Sequence, residues 1–359
     1  MARSVSAVWV IAVAVVVLAA GLGAGYLLGR GAGGTAANGG GGSPATLSIL
    51  AAGTLGTPFG SIASYLANTS TNLSAPTTAQ QYKGSLAVVS AVSQLHEAFD
   101  VVATADYRLI PQQLEPAYAG WEVVFGSSPE SLVYDPTVTA LQGINSTNWA
   151  AKVLSSGLPI GLANASVDPN GYNEIFVLEL EGLHEGGTLS TLYDHFFTTP
   201  VGSYAIANPS TTRVELESNV ASLIQTHTVA LYITYRSYAV SHGLSYVDLD
   251  PSVGLGSLAS ADLQTYARAS TTIQPTTGPQ VLHGAPILFS VTVPSNAPQA
   301  WAGLAFLHVL FSPAGSAILA AHGLTPILPG WCDRPSAVPG VVAPEVIALP
   351  SSLPPPTAP

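Results

Sequence analysis

The sequence predicts an α/β protein folded as two lobes with a ligand cleft between them, preceded by an N-terminal transmembrane helix. Three observations carry this expectation. Short β-type runs alternate with helical patterns from Thr46 to Gly323, the order that builds sheets covered by helices. The set occurs twice along 359 residues, a length that suits about two domains. No charged residue lies between Arg3 and Arg30.

The uncharged stretch sets the first two segments. Val8–Leu28 is apolar throughout and long enough to span a hydrocarbon core at a rise of about 1.5 Å per residue. A secretory signal has a shorter core of roughly 7–15 residues and a small-residue cleavage site. Residues 1–28 are therefore read as a retained single-pass anchor, with a cleaved export signal as the alternative. Residues 29–45 are Gly-rich and read as a flexible tether. Either reading exports the body, to the cell membrane or, if the segment is cleaved, to the outside. Four N-x-S/T sequons, at Asn68, Asn72, Asn145 and Asn164, are compatible with that and carry little weight.

In the body, LSILAA (47–52) is a strand, SIASYLAN (61–68) and 85–99 are helices, and FDVVATAD (99–106) is a second strand. WEVVFG (121–126) and SLVYDP (131–136) are further strands, the latter stopped by proline. The second set holds strands at 158–164, 229–235 and 244–249, and helices at about 173–182 and 215–226. A strand at 286–294 and helices at 300–311 and 312–323 follow, the last opened by Ser-Pro and closed by Gly. This order predicts mostly parallel sheets. It divides the body into a first lobe (46–128 with a return segment at 286–329), a second lobe (129–285) and an irregular Pro-rich tail (330–359). Closure is expected about the crossings near 127–131 and 284–287.

Composition narrows the function. Nine Lys and Arg stand against 20 Asp and Glu, a net charge of −11. Nucleic-acid binding needs the opposite balance. The single cysteine, Cys332, excludes an intramolecular disulfide or a multi-Cys metal site. Eight histidines show no paired-ligand spacing, and neither a G-x-S-x-G elbow nor a G-x-x-x-x-G-K-[ST] loop is present, so no enzyme is predicted. Only 8% of residues are charged, against about 25% in ordinary soluble chains. That composition suits an extracytoplasmic surface, and one facing acid.

In open α/β sheets, ligands bind beyond the carboxyl ends of strands, beside helix starts. The first such turn is Ala52-Gly53-Thr54-Leu55, with Thr57 and Pro58 placed to open a helix. The second is Gly84-Ser85, offering free N–H groups and a hydroxyl. The third is Asp168-Pro169-Asn170-Gly171-Tyr172. Glu217 and Tyr235 complete the set. Taken singly, each is an ordinary cap, turn or packing residue.

Taken in order, they resemble the archaeal-type molybdate/tungstate-binding proteins of ABC transporters, which have the type II periplasmic-binding-protein fold. The residues that carry the resemblance are Ala52-Gly53-Thr54-Leu55 with Pro58-Phe59, Gly84-Ser85, the run Asp100 to Pro111 (DVVATADYRLIP), and Asp168 to Tyr172. They continue with Glu217, Tyr235-Arg236-Ser237, Ala239, His242-Gly243-Leu244 and Tyr246. The likeness covers roughly 46–328. It implies an oxyanion held between the lobes by Gly53, Thr54, Ser85, Asp168, Pro169, Asn170, Glu217 and Tyr235, with Glu215 as the fallback for Glu217. Thr54, Asn170 and Asn173 depart from the family's usual Ser, Cys and Arg.

Two carboxylates beside a dianion are electrostatically adverse. They fit if one is protonated, if both lie outside the site, or if their oxygens reach the metal. Mo(VI) and W(VI) are hard centres that can expand from four to six oxygens. The resemblance implies the last arrangement, with Asp168 and Glu217 as the added ligands to the metal of the cargo. No cofactor other than this cargo is expected. The implied partners are an ABC permease and the membrane, and a monomer is expected. A receptor for sulfate, phosphate or a carboxylate, or an exported module with no small ligand, are the competing readings.

Overall fold

The computed structural model describes residues 46–69, 77–275 and 278–355. The apolar run Val8–Leu28, the Gly-rich stretch 29–45 and the Asn72 sequon lie outside them. Among the described residues no single helix is long and apolar enough to cross a membrane.

The chain opens with β1 (Thr46–Ala52), a 3₁₀ turn (Gly53–Leu55), α1 (Gly56–Thr69), β2 (Thr77–Lys83), α2 (Ser85–Ser93) and β3 (Val101–Thr104). After α3 (Leu109–Gln113) come β4 (Val123–Ser127) and β5 (Glu130–Tyr134). The middle of the chain supplies α4 (Trp149–Ser156), β6 (Ile160–Leu162), α5 (Pro169–His184), α6 (Ser190–Phe196) and β7 (Thr212–Val214). A 3₁₀ turn (Glu217–Asn219) then leads into α7 (Val220–Gln225), β8 (Leu231–Tyr235), α8 (Arg236–Ser241) and β9 (Tyr246–Asp248). The rest is α9 (Ser260–Tyr266), β10 (Ser270–Ile273), β11 (Gln280–His283), β12 (Leu288–Thr292), α10 (Ala300–Leu310), α11 (Pro313–Ala321), β13 (Thr325–Cys332) and β14 (Val346–Ala348).

Two main sheets result. One has the order β14-β13-β4-β12-β3-β1-β2, drawn from both ends of the body; the other, β7-β6-β8-β5-β9, comes from its middle. A two-stranded ribbon, β10-β11, stands apart. The chain passes from one sheet to the other between β4 and β5 and again between β11 and β12.

Neither main sheet is mostly parallel, contrary to the expectation from the alternating pattern. β1 runs parallel to β2 and β3, but β12 is antiparallel to β3 and β4, and β13 to β4. In the second sheet β5 is antiparallel to both β8 and β9. The reason is topological. Strands joined by helical crossovers run parallel; β5 and β12, the first strands of their sheets after the crossings, enter from the opposite end, and β13 runs with β12. The stretch past Pro329 is not irregular throughout either. β13 runs through Pro329 and β14 pairs with it in parallel. A proline can occupy an edge or bulge position, and the β13–β4 register shifts between Pro326 and Trp331.

The helices bury what their periodicity promises. α5 is buried from Pro169 to Gly182, so it is the central helix of the second lobe. In the first lobe Phe59 packs on Phe306 (centroids 5.0 Å apart) and Phe125 (5.7 Å), and Phe125 on Phe289 (6.2 Å). Asp100 ties this lobe together. Its carboxylate accepts from Ser48 N and Oγ (2.8 Å each) and from the Gln299 N–H at the start of α10 (2.5 Å). Hydrogen bonds to a charged acceptor contribute about 1.5–3 kcal/mol each, and orphaned buried donors cost more. Asp100→Ala is therefore expected to destabilise the protein by about 4 kcal/mol, read as a shift of the urea midpoint at unchanged slope.

Candidate functional site

On the first lobe, β1 delivers its chain end into the Gly53–Leu55 turn, where Thr54 is buried. A Cβ on Gly53 would stand 3.2 Å from Glu217 Oε2, so the bare backbone here lets that carboxylate approach. Gly84 caps α2, and Ser85 is its first residue. The Ser85 hydroxyl accepts from Ala105 N at 2.9 Å, which leaves its own proton free to donate.

On the second lobe, Asp168 is the N-cap of α5 and accepts from Asn170 N at 3.1 Å, with Pro169 at the first helical position. Pro169 carries no N–H and sets the helix start rather than donating. Asn170 Nδ2 donates to Glu174 and to Ile233 O (3.3 Å); its buried Oδ1 has no partner among the described residues. Tyr235 ends β8, receives Asn173 Nδ2 at 3.5 Å, and stacks edge-on against Phe289 of the first lobe at 5.7 Å. Glu217 begins its 3₁₀ turn and accepts from Thr234 Oγ1 at 2.9 Å.

These elements meet. A cleft of about 300 Å³ is lined by Gly53, Lys83, Gly84, Asp168, Glu215 and Glu217, among others. Glu217 is buried, whereas Glu215 is half-buried at the same cleft. Thr54, Ser85, Asn170 and Tyr235 are buried in the adjoining elements. Hydrogen bonds cross between the lobes, among them those joining Thr54 Oγ1 and Ser237 Oγ (3.0 Å), Tyr172 Oη and Asp106 Oδ2 (2.7 Å), and Ser241 Oγ and His322 Nδ1 (3.3 Å).

The electrostatics of the cleft are set by its acids. Burial pushes the Asp168 carboxyl up to about 6, against the lowering effect of the Asn170 N–H. Burial, and then the charge of Asp168, hold Glu217 well above the usual carboxylate range. The two titrate as a pair. Burial, then Glu130, Asp168 and Glu217, also raise Tyr235, so it is a donor at any physiological pH. The nearby cations are engaged elsewhere: Arg108 with Asp106 (2.7 Å), Arg236 with Asp248 (3.3 Å), and Arg213 with the carbonyls of Pro209 and Thr212 (2.8 and 2.9 Å). Lys83 lines the cleft without an ion pair among the described residues.

Sequence reasoning named Ser237 only within the run that carries the resemblance, not in the ligand set, and did not single out Glu130 or Glu174. Ser237 faces Thr54 across the cleft and donates its N–H to Ser128 Oγ at 3.0 Å, at a crossing segment. Glu174 braces Asn170 and accepts from Ala163 N at 2.7 Å. The sequence carried no usable signal for the two acids: Glu130 lies in Ser128-Pro129-Glu130-Ser131, and Glu174 follows Asn170-Gly171-Tyr172-Asn173.

The closed approach has a measurable consequence. A Cβ on Gly84 would lie 2.4 Å from Val167 O, backbone against backbone across the cleft. Gly84→Ala is expected to hold the lobes apart and weaken ligand binding about tenfold or more, or about 1.4 kcal/mol, while the melting temperature without ligand changes little. Titration calorimetry with differential scanning fluorimetry checks both.

Comparison with known proteins agrees with this architecture. An uncharacterized solute-binding protein of Methanococcus maripaludis is 29% identical over 285 residues, covering 75% of this chain and 83% of that one. The molybdate/tungstate-binding protein of Thermococcus kodakarensis is 27% identical over 286 residues, covering 76% and 80%. Among solved structures, the periplasmic molybdate-binding protein of Azotobacter vinelandii superposes with a TM-score of 0.53 at 14% identity, covering 78% of this chain and 98% of that one. The sulfate-binding protein SubI of Mycobacterium tuberculosis gives 0.51 at 13% identity, covering 84% and 90%. At those identities the superpositions establish the two-lobed fold. Residues 47–325 match the model of the bacterial extracellular solute-binding proteins, and the chain belongs to that family.

Proposed function

We propose that the protein captures molybdate or tungstate in this cleft and delivers it to an ABC permease. The Val8–Leu28 run holds the body at the membrane and residues 29–45 give it reach. The observation that carries the reading is the pair of half-buried Asp168 and buried Glu217, with no cation partner among the described residues, converging on one cleft. A sulfate or phosphate site gains nothing from two acids. A metal that accepts two further oxygens does. Asp168 and Glu217 then supply those oxygens, while Thr54, Ser85 and Tyr235 donate to the oxo groups, and helix starts add N–H groups. Selectivity follows from the same acids, which repel an anion that cannot expand its coordination. The 27% identical Thermococcus relative, named for molybdate and tungstate, supports the ligand class.

Thermal shift against tungstate, molybdate, sulfate and phosphate tests it. Stabilisation by the first two and not the others is the expected result. Stabilisation by sulfate alone transfers the site to a tetrahedral anion, and no response to any of them removes the anion reading. X-ray absorption on the tungstate complex counts the oxygens, six being expected.

A further inference from the structure

Glu130 is the first residue of β5, immediately after a crossing between the lobes. Its side chain is fully buried, yet both carboxyl oxygens lack a hydrogen-bond partner among the described residues. It stands directly opposite Tyr235 in the β5–β8 ladder, so the two side chains leave the same face of the sheet. Asn173, the nearby amide donor, reaches Tyr235 Oη at 3.5 Å and also favours the charged form of Glu130. The charged groups within reach are all acidic: Asp168 and Glu174 from α5, and Glu217 from its 3₁₀ turn. Tyr232 and Tyr235 face it from β8, and Arg236, the next residue, is paired with Asp248. Asp250 is turned to Ser252 and His184.

An ionised carboxylate is strongly disfavoured there, because burial and the surrounding acids outweigh the one amide donor, Asn173, and no cation faces it. The protonated acid can persist, and it then has an O–H to give. We propose that Glu130 is a further residue of the oxyanion site, a neutral carboxylic acid whose O–H donates to an oxo group of the bound anion beside Tyr235. This rests on the oxyanion reading but not on which oxyanion is bound, since any tetrahedral oxyanion presents such an oxygen. It also gives the pair Asp168–Glu217 a third acid of opposite duty: two offer oxygen lone pairs, and one offers a proton.

The test compares Glu130→Gln with Glu130→Leu. Gln keeps a neutral donor in the same shape, and Leu keeps the volume without one. Sodium tungstate is titrated calorimetrically into wild type and both variants, with far-UV circular dichroism and ligand-free melting as folding controls. The expected result is affinity within about threefold of wild type for Glu130→Gln and at least tenfold weaker for Glu130→Leu, both folded. Wild-type affinity in Glu130→Leu overturns the proposal, because a merely buried acid would leave binding unmoved. Equal loss in both variants overturns the neutral-donor assignment. If wild type binds sulfate and not tungstate, the metal reading fails separately, and the same variants titrated with sulfate decide the role of Glu130. If neither anion binds wild type, the oxyanion reading and this proposal fall together, before any variant is made.

Discussion

Neutralising either acid of the cleft, by Asp168→Asn or Glu217→Gln, is expected to weaken tungstate binding about 10²–10³-fold, or roughly 3–4 kcal/mol. Both substitutions spare the scaffold. Asparagine at 168 still accepts from Asn170 N, so the cap of α5 persists, and glutamine at 217 still accepts from Thr234 Oγ1. The lost element is the anionic oxygen, the better ligand for a hexavalent metal. The sign of the effect is what discriminates. If the bound dianion were held by hydrogen bonds alone, removing a negative charge a few ångströms away would strengthen it. Calorimetric titration of both variants with tungstate and with sulfate reads this directly. Weaker tungstate with stronger or newly detectable sulfate is the expected pattern, and tighter tungstate in either variant removes that acid from the metal.

The second large effect concerns pH. Burial raises Glu122 and Glu174 well above the usual carboxylate range, Glu179 to about 8, Glu181 to about 7 and Asp168 to about 6. For each, the folded value exceeds the unfolded one. The folded state therefore binds the proton more tightly, and the stability this contributes is complete below the unfolded carboxyl value of about 4.3. It is lost as pH rises through the folded values, between about 6 and 8 for the three groups just numbered. Asp106 acts in the opposite sense: burial works against its charge, but the Arg108 guanidinium holds its carboxyl below the usual range, so its contribution disappears in strong acid. Ligand-free stability is expected to peak in mild acid and to fall by several kcal/mol toward pH 9, a tenfold difference in proton affinity between folded and unfolded chain being worth about 1.4 kcal/mol. Urea denaturation at half-unit pH intervals measures it. Glu179→Gln should flatten the curve between pH 6 and 9, and a maximum at pH 8 or above in wild type would contradict the assignment.

The fold class was legible because helices and strands write different periods, and buried strands such as LYITY (231–235) are continuous apolar runs bounded by turns. Strand direction was not legible. Parallel and antiparallel neighbours of a fully buried strand present the same residues, so β12 reads alike in either sense. Short elements were missed where their side chains are polar: β2 is TTAQQYK, an edge strand with little apolar signal. Proline hid β13, whose register break accommodates it. Within the site, Asp168 and Ser85 were visible because helix starts have a chemical signature. The role of Ser237 was not, because it depends on a partner 183 positions away. Glu130 was not, because the meaning of an acid in a strand lies in what surrounds it in space.

The large sheet is split in sequence: β3 meets β1 early, but its other neighbour, β12, arrives only after the whole middle sheet has been made. A chain that folds from its amino end thus carries the β3 flank of its first sheet bare, while the central portion has every strand it needs. Such long-range pairing is slow and leaves unpaired strands open to aggregation. Completion of the large sheet accordingly waits on β12, β13 and β14. The hydrogen bond from Tyr107 Oη to Pro354 O, at 2.6 Å, shows how far toward the carboxyl end that requirement reaches.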